Sequence, residues 1–102
     1  MANSTIIIEE SNDESWDTYQ PEATLSVLNE CIQIRFTKKA ADAVNIYRRQ
    51  SANESWEFIA TGVNSPFDDY ELAQYSEYCI RGVKENKEVG IPLFLFIDAA
   101  RD

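Results

Sequence analysis

Residues 67–83 decide the fold of this 102-residue chain, and they read FDDYELAQYSEYCIRGV. The stretch contains an acidic turn, a leucine, a tyrosine six residues after that leucine, and then strict alternation. Tyr78, Ile80 and Gly82 fall on one face of the alternation, which indicates a half-buried β-strand. We expect Gly82 to be a close-packing position, because a side chain there would crowd the facing sheet.

The two adjacent aspartates of this stretch are the first candidates for chemistry. Neighbouring side chains in an extended segment point to opposite faces. Asp68 and Asp69 therefore cannot converge on one bond of a substrate. We expect Asp69 instead to accept hydrogen bonds from backbone N–H groups in the turn.

Alternation of apolar and polar residues continues along most of the chain from residue 22. It indicates seven short strands, over residues 24–27, 32–36, 44–49, 56–63, 67–72, 78–82 and 93–99. Residues 85–87 are expected to form a hairpin turn, and Gly90 and Pro92 to break the strand that follows. Because each strand offers one apolar face, two sheets must stack to hide them. The sequence predicts an all-β chain, a seven-stranded antiparallel β-sandwich.

Residues 22–100 resemble a fibronectin type III domain. The run IQIRF at 32–36 is similar to strand B of that family, with Phe36 where the family usually has tryptophan. The run VNIYR at 44–48 is similar to strand C, in the form common in modules of bacterial secreted enzymes. The resemblance implies a fibronectin type III-like sandwich.

The corner before the sixth strand carries a further part of this resemblance. Asp69 and Leu72 resemble the segment that leads into the family's E–F corner, and Tyr78 follows Leu72 by six residues, as the corner tyrosine does. The resemblance implies that Asp69, Leu72 and Tyr78 form a structural corner. In such corners the tyrosine ring is buried and its hydroxyl bonds backward to the backbone.

Cys31 and Cys79 fall in the expected strands B and F, where an antibody-like domain has its disulfide. With Ile32 and Tyr78 pointing inward, however, each adjacent cysteine points outward. The two thiols would then lie on opposite outer faces, farther apart than the roughly 7 Å between Cα atoms that a disulfide allows. We predict two free thiols.

Charge and composition exclude several classes of partner. The net charge is −9, which excludes nucleic acid, because phosphate binding needs clustered lysine and arginine. No apolar run approaches the roughly 20 residues of a membrane helix, so we expect no membrane insertion. The run Ile6–Ile8 is too short for a signal-peptide core. We expect a cytosolic chain as written, or an extracellular or cell-surface one if it is a fragment of an exported protein, and localisation stays open.

The chain divides into two parts by composition. Residues 1–21 are acidic and polar, and we expect an N-terminal arm or linker, with a short strand at 5–8. Residues 22–102 form the expected fibronectin type III-like sandwich. An apolar tripeptide on such an arm can add a strand to a neighbouring sheet edge, which is an alternative role for Ile6–Ile8.

The sequence contains few of the residue patterns that carry out catalysis. The chain has no histidine, which removes the commonest general base and metal ligand. Two cysteines alone do not make a zinc site, and no glycine-rich phosphate loop is present. We therefore expect no catalytic residues, no metal site and no cofactor.

Outward-pointing aromatic side chains are the candidates for ligand binding. Tyr47 and Arg49 are expected on the outer face of their strand, with Arg48 on its apolar face. Trp56 is expected at the start of the next strand, and Tyr75 near the corner. Aromatic rings stack on sugars through apolar contact, so these three suggest a carbohydrate platform. The other interpretation is that Trp56 covers an edge of the core and Tyr47 pairs with cross-strand neighbours.

We predict a non-catalytic interaction or spacer module, part of a larger bacterial surface or polysaccharide-degrading protein. Its partner would be another protein or neighbouring domains of the same polypeptide. The alternative is a carbohydrate-binding module that uses Tyr47, Trp56 and Tyr75 for ligand stacking.

Overall fold

The computed structural model of the chain describes residues 16–71 and 73–98. Within these residues there are seven strands: β1 (Glu22–Val27), β2 (Ile32–Thr37), β3 (Ala43–Arg49), β4 (Glu57–Gly62), β5 (Phe67–Asp69), β6 (Tyr75–Lys84) and β7 (Lys87–Asp98). They pair antiparallel in a three-stranded sheet, ordered β1-β2-β5, and a four-stranded sheet, ordered β4-β3-β6-β7. The predicted all-β, seven-stranded sandwich is confirmed.

The core lies between the two sheets and follows from the period-two pattern. In β2, Ile32, Ile34 and Phe36 are buried, whereas the residues between them are more exposed. The four-stranded sheet completes the cluster with Val44, Ile46, Tyr78 and Ile80. Burying one large apolar side chain contributes about 1.5–3 kcal/mol, so this cluster is the main source of stability.

The β6–β7 hairpin closes as the sequence predicted. Glu85 and Asn86 form its turn, with φ angles of 53° and 67°. Positive φ at both central residues gives a turn whose twist matches that of the flanking strands. The turn is held by Asp42, whose Oδ2 accepts a hydrogen bond from the Glu85 N–H at 3.0 Å.

The predicted break at Gly90 and Pro92 is wrong, because β7 runs without interruption from Lys87 to Asp98. Residues 90–92 of β7 lie opposite the single residue Arg81 of β6, so the extra residues form a bulge. A bulge removes ladder hydrogen bonds locally, which tolerates proline, and Gly90 adopts φ +78° within it.

The segment before β1 packs against one end of the sandwich. The Tyr19 ring lies over Gly82, and an added Cβ atom at Gly82 or Gly90 would collide with Tyr19. The Tyr19 hydroxyl donates to the Lys38 carbonyl at 2.6 Å, and its carbonyl accepts from the Ile91 N–H at 2.7 Å. Gly82 is thus a close-packing position, and the ring that it admits comes from the N-terminal segment rather than from the facing sheet.

Two further residues extend this docked segment. Trp16 packs edge-on against Tyr19, with ring centroids 5.0 Å apart, and Pro21 is fully buried. The sequence assigned residues 1–21 to an arm or linker, and in the structure Tyr19 and Gln20 of that segment are hydrogen-bonded to the sandwich. Residues 1–15, with the expected short strand at 5–8, lie outside the described residues.

Tyr78 is fully buried, but its hydroxyl bonds to a carboxylate and not to the backbone as expected. It donates to Asp69 Oδ2 at 2.7 Å. Asp69 Oδ1 accepts from Arg48 Nη1 at 2.7 Å and from the Glu71 N–H at 3.1 Å. The difference from the expectation has a physical reason. The buried Arg48 requires an anionic partner, which Asp69 supplies, and the second oxygen of the same carboxylate accepts the bond from the tyrosine hydroxyl. Leu72, the third expected corner residue, lies outside the described residues.

Arg48, Asp69 and Tyr78 are called the inner triad below. Burial and the bond to Asp69 raise the pKa of Tyr78. Burial alone would lower the pKa of Arg48, but Asp69 and Glu57 outweigh it and raise that pKa. The triad connects the two sheets, since Asp69 ends β5 and its partners lie on β3 and β6.

Candidate functional site

The two outer faces of the sandwich differ in composition. On the three-stranded sheet the residues that alternate with the core positions are Glu22, Thr24, Ser26, Gln33, Arg35, Thr37 and Asp68. All of them are polar. Asp68 lies on this polar face beside Gln33, whose Nε2 donates to Asp68 Oδ1 at 3.2 Å. Asp68 and Asp69 therefore point to opposite sides of β5, as predicted.

The outer face of the four-stranded sheet carries aromatic side chains instead. We call it the aromatic face, and it consists of Tyr47, Trp56, Phe58, Tyr75, Phe94 and Phe96. The exposed fractions of Phe58, Phe94 and Phe96 are 54%, 59% and 66%. Single exposed apolar side chains are common in soluble proteins, but a contiguous cluster marks an interaction surface.

Alternation along β7 explains how the sequence builds this face. Leu93 and Leu95 pack against the core, so the residues between and after them, Phe94 and Phe96, must point outward. On β6 the same rule turns Tyr75 and Glu77 outward.

A groove of about 220 Å³ lies on the aromatic face. It is lined by Arg49, Trp56, Tyr75, Glu77, Phe94, Leu95 and Phe96. The rings of Trp56 and Phe94 lie 5.8 Å apart at an interplanar angle of 36°. Those of Tyr75 and Phe96 lie 6.2 Å apart at 33°. Two tilted aromatic pairs therefore line one concave surface.

Polar groups sit beside these rings. Arg49 Nε donates to Glu77 Oε1 at 2.7 Å, and the Tyr75 hydroxyl donates to Glu77 Oε2 at 2.5 Å. The Arg49 guanidinium also lies over the Trp56 ring, 4.3 Å from its centroid, in a cation–π contact. We call Arg49, Glu77 and Tyr75 the outer triad.

Charge and hydrogen bonding in the outer triad reinforce each other. The hydrogen bonds from Tyr75 and Arg49 lower the pKa of the Glu77 carboxyl. The same bond to Glu77 raises the pKa of the Tyr75 hydroxyl. At neutral pH Glu77 is therefore a carboxylate and Tyr75 a neutral phenol.

The structure brings together two of the three aromatics that the sequence singled out. Trp56 and Tyr75 line the groove, whereas Tyr47 lies beside it. The Tyr47 ring packs edge-on against Phe58, with centroids 5.7 Å apart, and its hydroxyl donates to Glu88 Oε2. Asn45 Nδ2 donates to the same oxygen at 2.9 Å.

Sequence reasoning missed five residues that line the groove: Arg49, Glu77, Phe94, Leu95 and Phe96. A signal for the phenylalanines was present, because they alternate with two leucines in the last strand. Arg49 was placed on the outer face of β3 together with Tyr47, but its pairing with Glu77 depends on the register of β3 against β6.

Both cysteines are free thiols, as predicted. They are also buried, with exposed fractions of 5% for Cys31 and 8% for Cys79. Cys31 immediately precedes β2 rather than lying within it. Cys79 lies on the aromatic face, where the neighbouring-strand residues Tyr47 and Phe94 flank it, and burial raises the pKa of its thiol. A side chain on an outer face is thus not necessarily exposed.

No three histidine, cysteine, aspartate or glutamate side chains of residues 16–71 and 73–98 converge as metal ligands would. In the same ranges no helix is long and apolar enough to span a membrane.

No protein-family model and no curated protein matches the sequence. Among solved structures, the fold is similar to a fibronectin type III-like protein from Clostridium thermocellum. That match has a TM-score of 0.55 and 17% sequence identity, and covers 74% of this chain and 84% of the other. The fold is fibronectin type III-like. This agrees with the resemblance read from residues 22–100.

The fibronectin type III-like fold of this chain is also similar to part of pectate lyase PelI from Erwinia chrysanthemi, whose structure contains tetragalacturonic acid. The TM-score is 0.56 and the sequence identity 19%. The match covers 74% of this chain but only 27% of the pectate lyase chain. At this identity the similarity concerns the fold alone.

Proposed function

We propose that this chain is a non-catalytic accessory module of a larger bacterial surface or polysaccharide-degrading protein, and that the aromatic face is its contact surface. The observation that carries the proposal is the difference between the two outer faces. One is polar, as a face in permanent contact with water should be, and the other exposes Phe58, Phe94 and Phe96 in one cluster. A simple spacer would have no need of that cluster.

The similarity to part of a pectate lyase supports the accessory role. There a domain of this fold forms about a quarter of a longer chain that acts on a polysaccharide, since the match spans 27% of it. Neighbouring domains of the same polypeptide are therefore natural partners for this chain.

Carbohydrate binding is a second candidate, and one specific observation favours it. Trp56 and Tyr75 line the same groove, next to the polar groups of Arg49 and Glu77. Binding sites for small ligands combine an apolar lining with a few such polar groups. Tyr47, which the sequence grouped with these aromatics, would support Phe58 rather than touch the ligand.

The test uses the whole reading frame that contains this chain. That polypeptide is incubated with a panel of plant polysaccharides, and the release of reducing ends is measured, which detects both hydrolases and lyases. We expect release by the whole polypeptide and none by this chain alone. We expect Phe94→Ser/Phe96→Ser to lower release from polymers while release from short soluble oligosaccharides is unchanged.

Three results would contradict the proposal. A reading frame that encodes no further domain would remove the accessory role. Release of reducing ends by this chain alone would show that it is catalytic. Unchanged polymer degradation by the folded double variant would remove the aromatic face from the function.

A further inference from the structure

We propose that the groove on the aromatic face binds an uncharged glycan. This rests on the proposed function, because it assumes that the aromatic face is a contact surface, and it names the chemical class of the occupant. The residues that would contact the glycan are Phe94, Phe96 and Tyr75, with Trp56 and the polar atoms of Arg49 and Glu77 beside them.

Ring spacing is the first argument. Phe94 and Phe96 lie two residues apart on β7 and point to the same side, so their attachment points are about 7 Å apart. Both rings are more than half exposed. A pyranose ring has an apolar face of C–H groups that stacks on an aromatic ring, and successive sugar units can use successive rings. A row of exposed rings along one strand suits a chain of such units.

The outer triad supplies the hydrogen bonds that a sugar also needs. A sugar hydroxyl is both a donor and an acceptor. The Arg49 guanidinium carries four N–H groups on its two Nη atoms in addition to the Nε–H that Glu77 accepts, and each Glu77 oxygen has a second lone pair. Donor and acceptor therefore lie side by side at the edge of the stacking surface. An entirely apolar partner would offer no hydrogen-bonding groups to these donors and acceptors.

Charge decides between uncharged and acidic glycans. Arg49 and Glu77 are the charged residues in the groove lining, so the lining carries no net charge. Arg49 is already paired with Glu77 at 2.7 Å. A uronate carboxylate would meet Glu77, in a protein whose overall charge of −9 repels anions. An uncharged glycan is repelled neither by the Glu77 carboxylate nor by the overall negative charge.

The size of the groove limits the occupant to a short stretch of chain. Its volume of about 220 Å³ lies below the roughly 300–1,000 Å³ of pockets that enclose drug-sized ligands. We therefore expect one or two sugar units in the groove and a dissociation constant on the order of 0.1–1 mM.

The test is isothermal titration calorimetry of this chain with cellohexaose, xylohexaose and mannohexaose, and with tetragalacturonic acid as the acidic comparator. We expect saturable binding of at least one uncharged oligosaccharide and weaker binding of tetragalacturonic acid. Phe96→Ala and Tyr75→Ala should each weaken binding about tenfold, since each removes a stacking ring. Tyr70→Ala is the matched control, because Tyr70 is 67% exposed but does not belong to the aromatic face, and it should leave binding within about twofold.

Glu77→Gln tests the charge argument directly. The substitution removes the anion and leaves Arg49 uncompensated, so we expect tetragalacturonic acid to bind at least about fivefold more tightly than to the unmodified chain. Circular dichroism shows whether each variant is folded, and Tyr75→Phe, which keeps the ring, replaces Tyr75→Ala if that variant is unfolded. Tyr75→Phe should retain most of the binding.

The proposal fails if no uncharged oligosaccharide binds, if tetragalacturonic acid binds more tightly than all of them, or if Tyr70→Ala weakens binding as much as Phe96→Ala. It also fails if sedimentation shows a dimer that Phe96→Ala dissociates, because a second copy then covers the face. Failure here together with loss of polymer degradation in the Phe94→Ser/Phe96→Ser polypeptide would leave the accessory role standing with a protein partner. Unchanged degradation in that variant would overturn the proposed function itself.

Discussion

The inner and outer triads contain the same three functional groups, and their arginines are neighbours on β3 that point to opposite faces of the sheet. Arg48 and Arg49 are adjacent, and each pairs with a carboxylate at 2.7 Å that also accepts a hydrogen bond from a tyrosine hydroxyl. The inner triad is almost completely buried, with side-chain exposures of 8% for Arg48 and 5% for Asp69. The outer triad is more accessible, with 24% for Arg49 and 16% for Glu77.

The difference shows that the location of such a triad decides what it can do. Between the sheets, an unpaired charge is severely destabilising, so each member of the inner triad is needed by the others. On the outer face water can take the place of a missing partner, so the outer triad tolerates the loss of a member, and its remaining N–H groups and lone pairs stay available to a ligand. The same three functional groups are structural in one place and available for recognition in the other.

The largest expected effect comes from removing the carboxylate of each triad in a separate variant and comparing the two losses of stability. Asp69→Ala removes the only buried carboxylate paired with Arg48 in the described residues and leaves it the largely exposed Glu57 and Glu71, so we expect it to lower the free energy of unfolding by about 3–5 kcal/mol. Glu77→Ala removes a partly exposed pair and should cost about 1 kcal/mol. Urea unfolding followed by circular dichroism measures both. Equal losses of unfolding free energy would show that the two triads contribute equally to stability, which contradicts the account.

A second contrast concerns tyrosines outside the triads. Tyr19 fills the space above Gly82 and bonds to Lys38, so Tyr19→Ala should cost about 2–4 kcal/mol. Tyr70→Ala removes a ring that is largely in water and should change stability by less than about 0.5 kcal/mol. The melting temperatures of the two variants provide the measurement. If Tyr19→Ala is as stable as Tyr70→Ala, residues before β1 are not part of the folded unit.

Acid should weaken the outer triad through Glu77. Its pKa is lowered in the folded protein, so its contribution to stability is complete above its unfolded pKa of about 4.3 and is lost as the pH falls through the lower folded value. The stability difference between the unmodified chain and Glu77→Gln should therefore be constant above about pH 5 and shrink below about pH 4. Unfolding free energies at several pH values check this, and a difference that persists unchanged at low pH would contradict it.

The smallest expected effect is that of Asp68, the neighbour of Asp69 on the polar face. Asp68→Asn should change the free energy of unfolding by less than about 0.5 kcal/mol, because its partner Gln33 remains in contact with solvent and either side chain can be hydrated. The comparison with Asp69→Ala, measured in the same urea titration, tests whether adjacent carboxylates differ by face alone. A large loss for Asp68→Asn would show that both carboxylates support the fold.

The sequence predicted the features that depend on local alternation. It placed Arg48 on the apolar face of its strand and Arg49 on the opposite one, and it separated Asp68 from Asp69. It did not predict that Arg48 meets Asp69, because these residues come from different sheets and their contact depends on how the sheets stack. The same limit applies to Arg49 and Glu77, whose pairing follows from strand register.

Two features of the fold that the sequence did not predict have similar causes. The continuous course of β7 through Pro92 depends on a bulge. A bulge depends on how many residues the paired strand β6 contributes, and the propensity of residues in β7 alone does not contain that information. The docking of Tyr19 onto the sandwich depends on the small residue Gly82, more than 60 positions later in the chain. For the candidate site, the sequence found Trp56 and Tyr75 but not the groove that unites them with Phe94 and Phe96.

The most direct test of the account is to remove one hydroxyl from each triad. Tyr78→Phe and Tyr75→Phe are the same chemical change on the two sides of the four-stranded sheet. We predict that Tyr78→Phe lowers the free energy of unfolding by about 1–3 kcal/mol, because a buried carboxylate oxygen loses its partner, and that Tyr75→Phe lowers it by less than about 0.5 kcal/mol. Equal losses in urea unfolding, or a larger loss for Tyr75→Phe, would contradict the distinction between an inner triad that the fold requires and an outer triad that it does not.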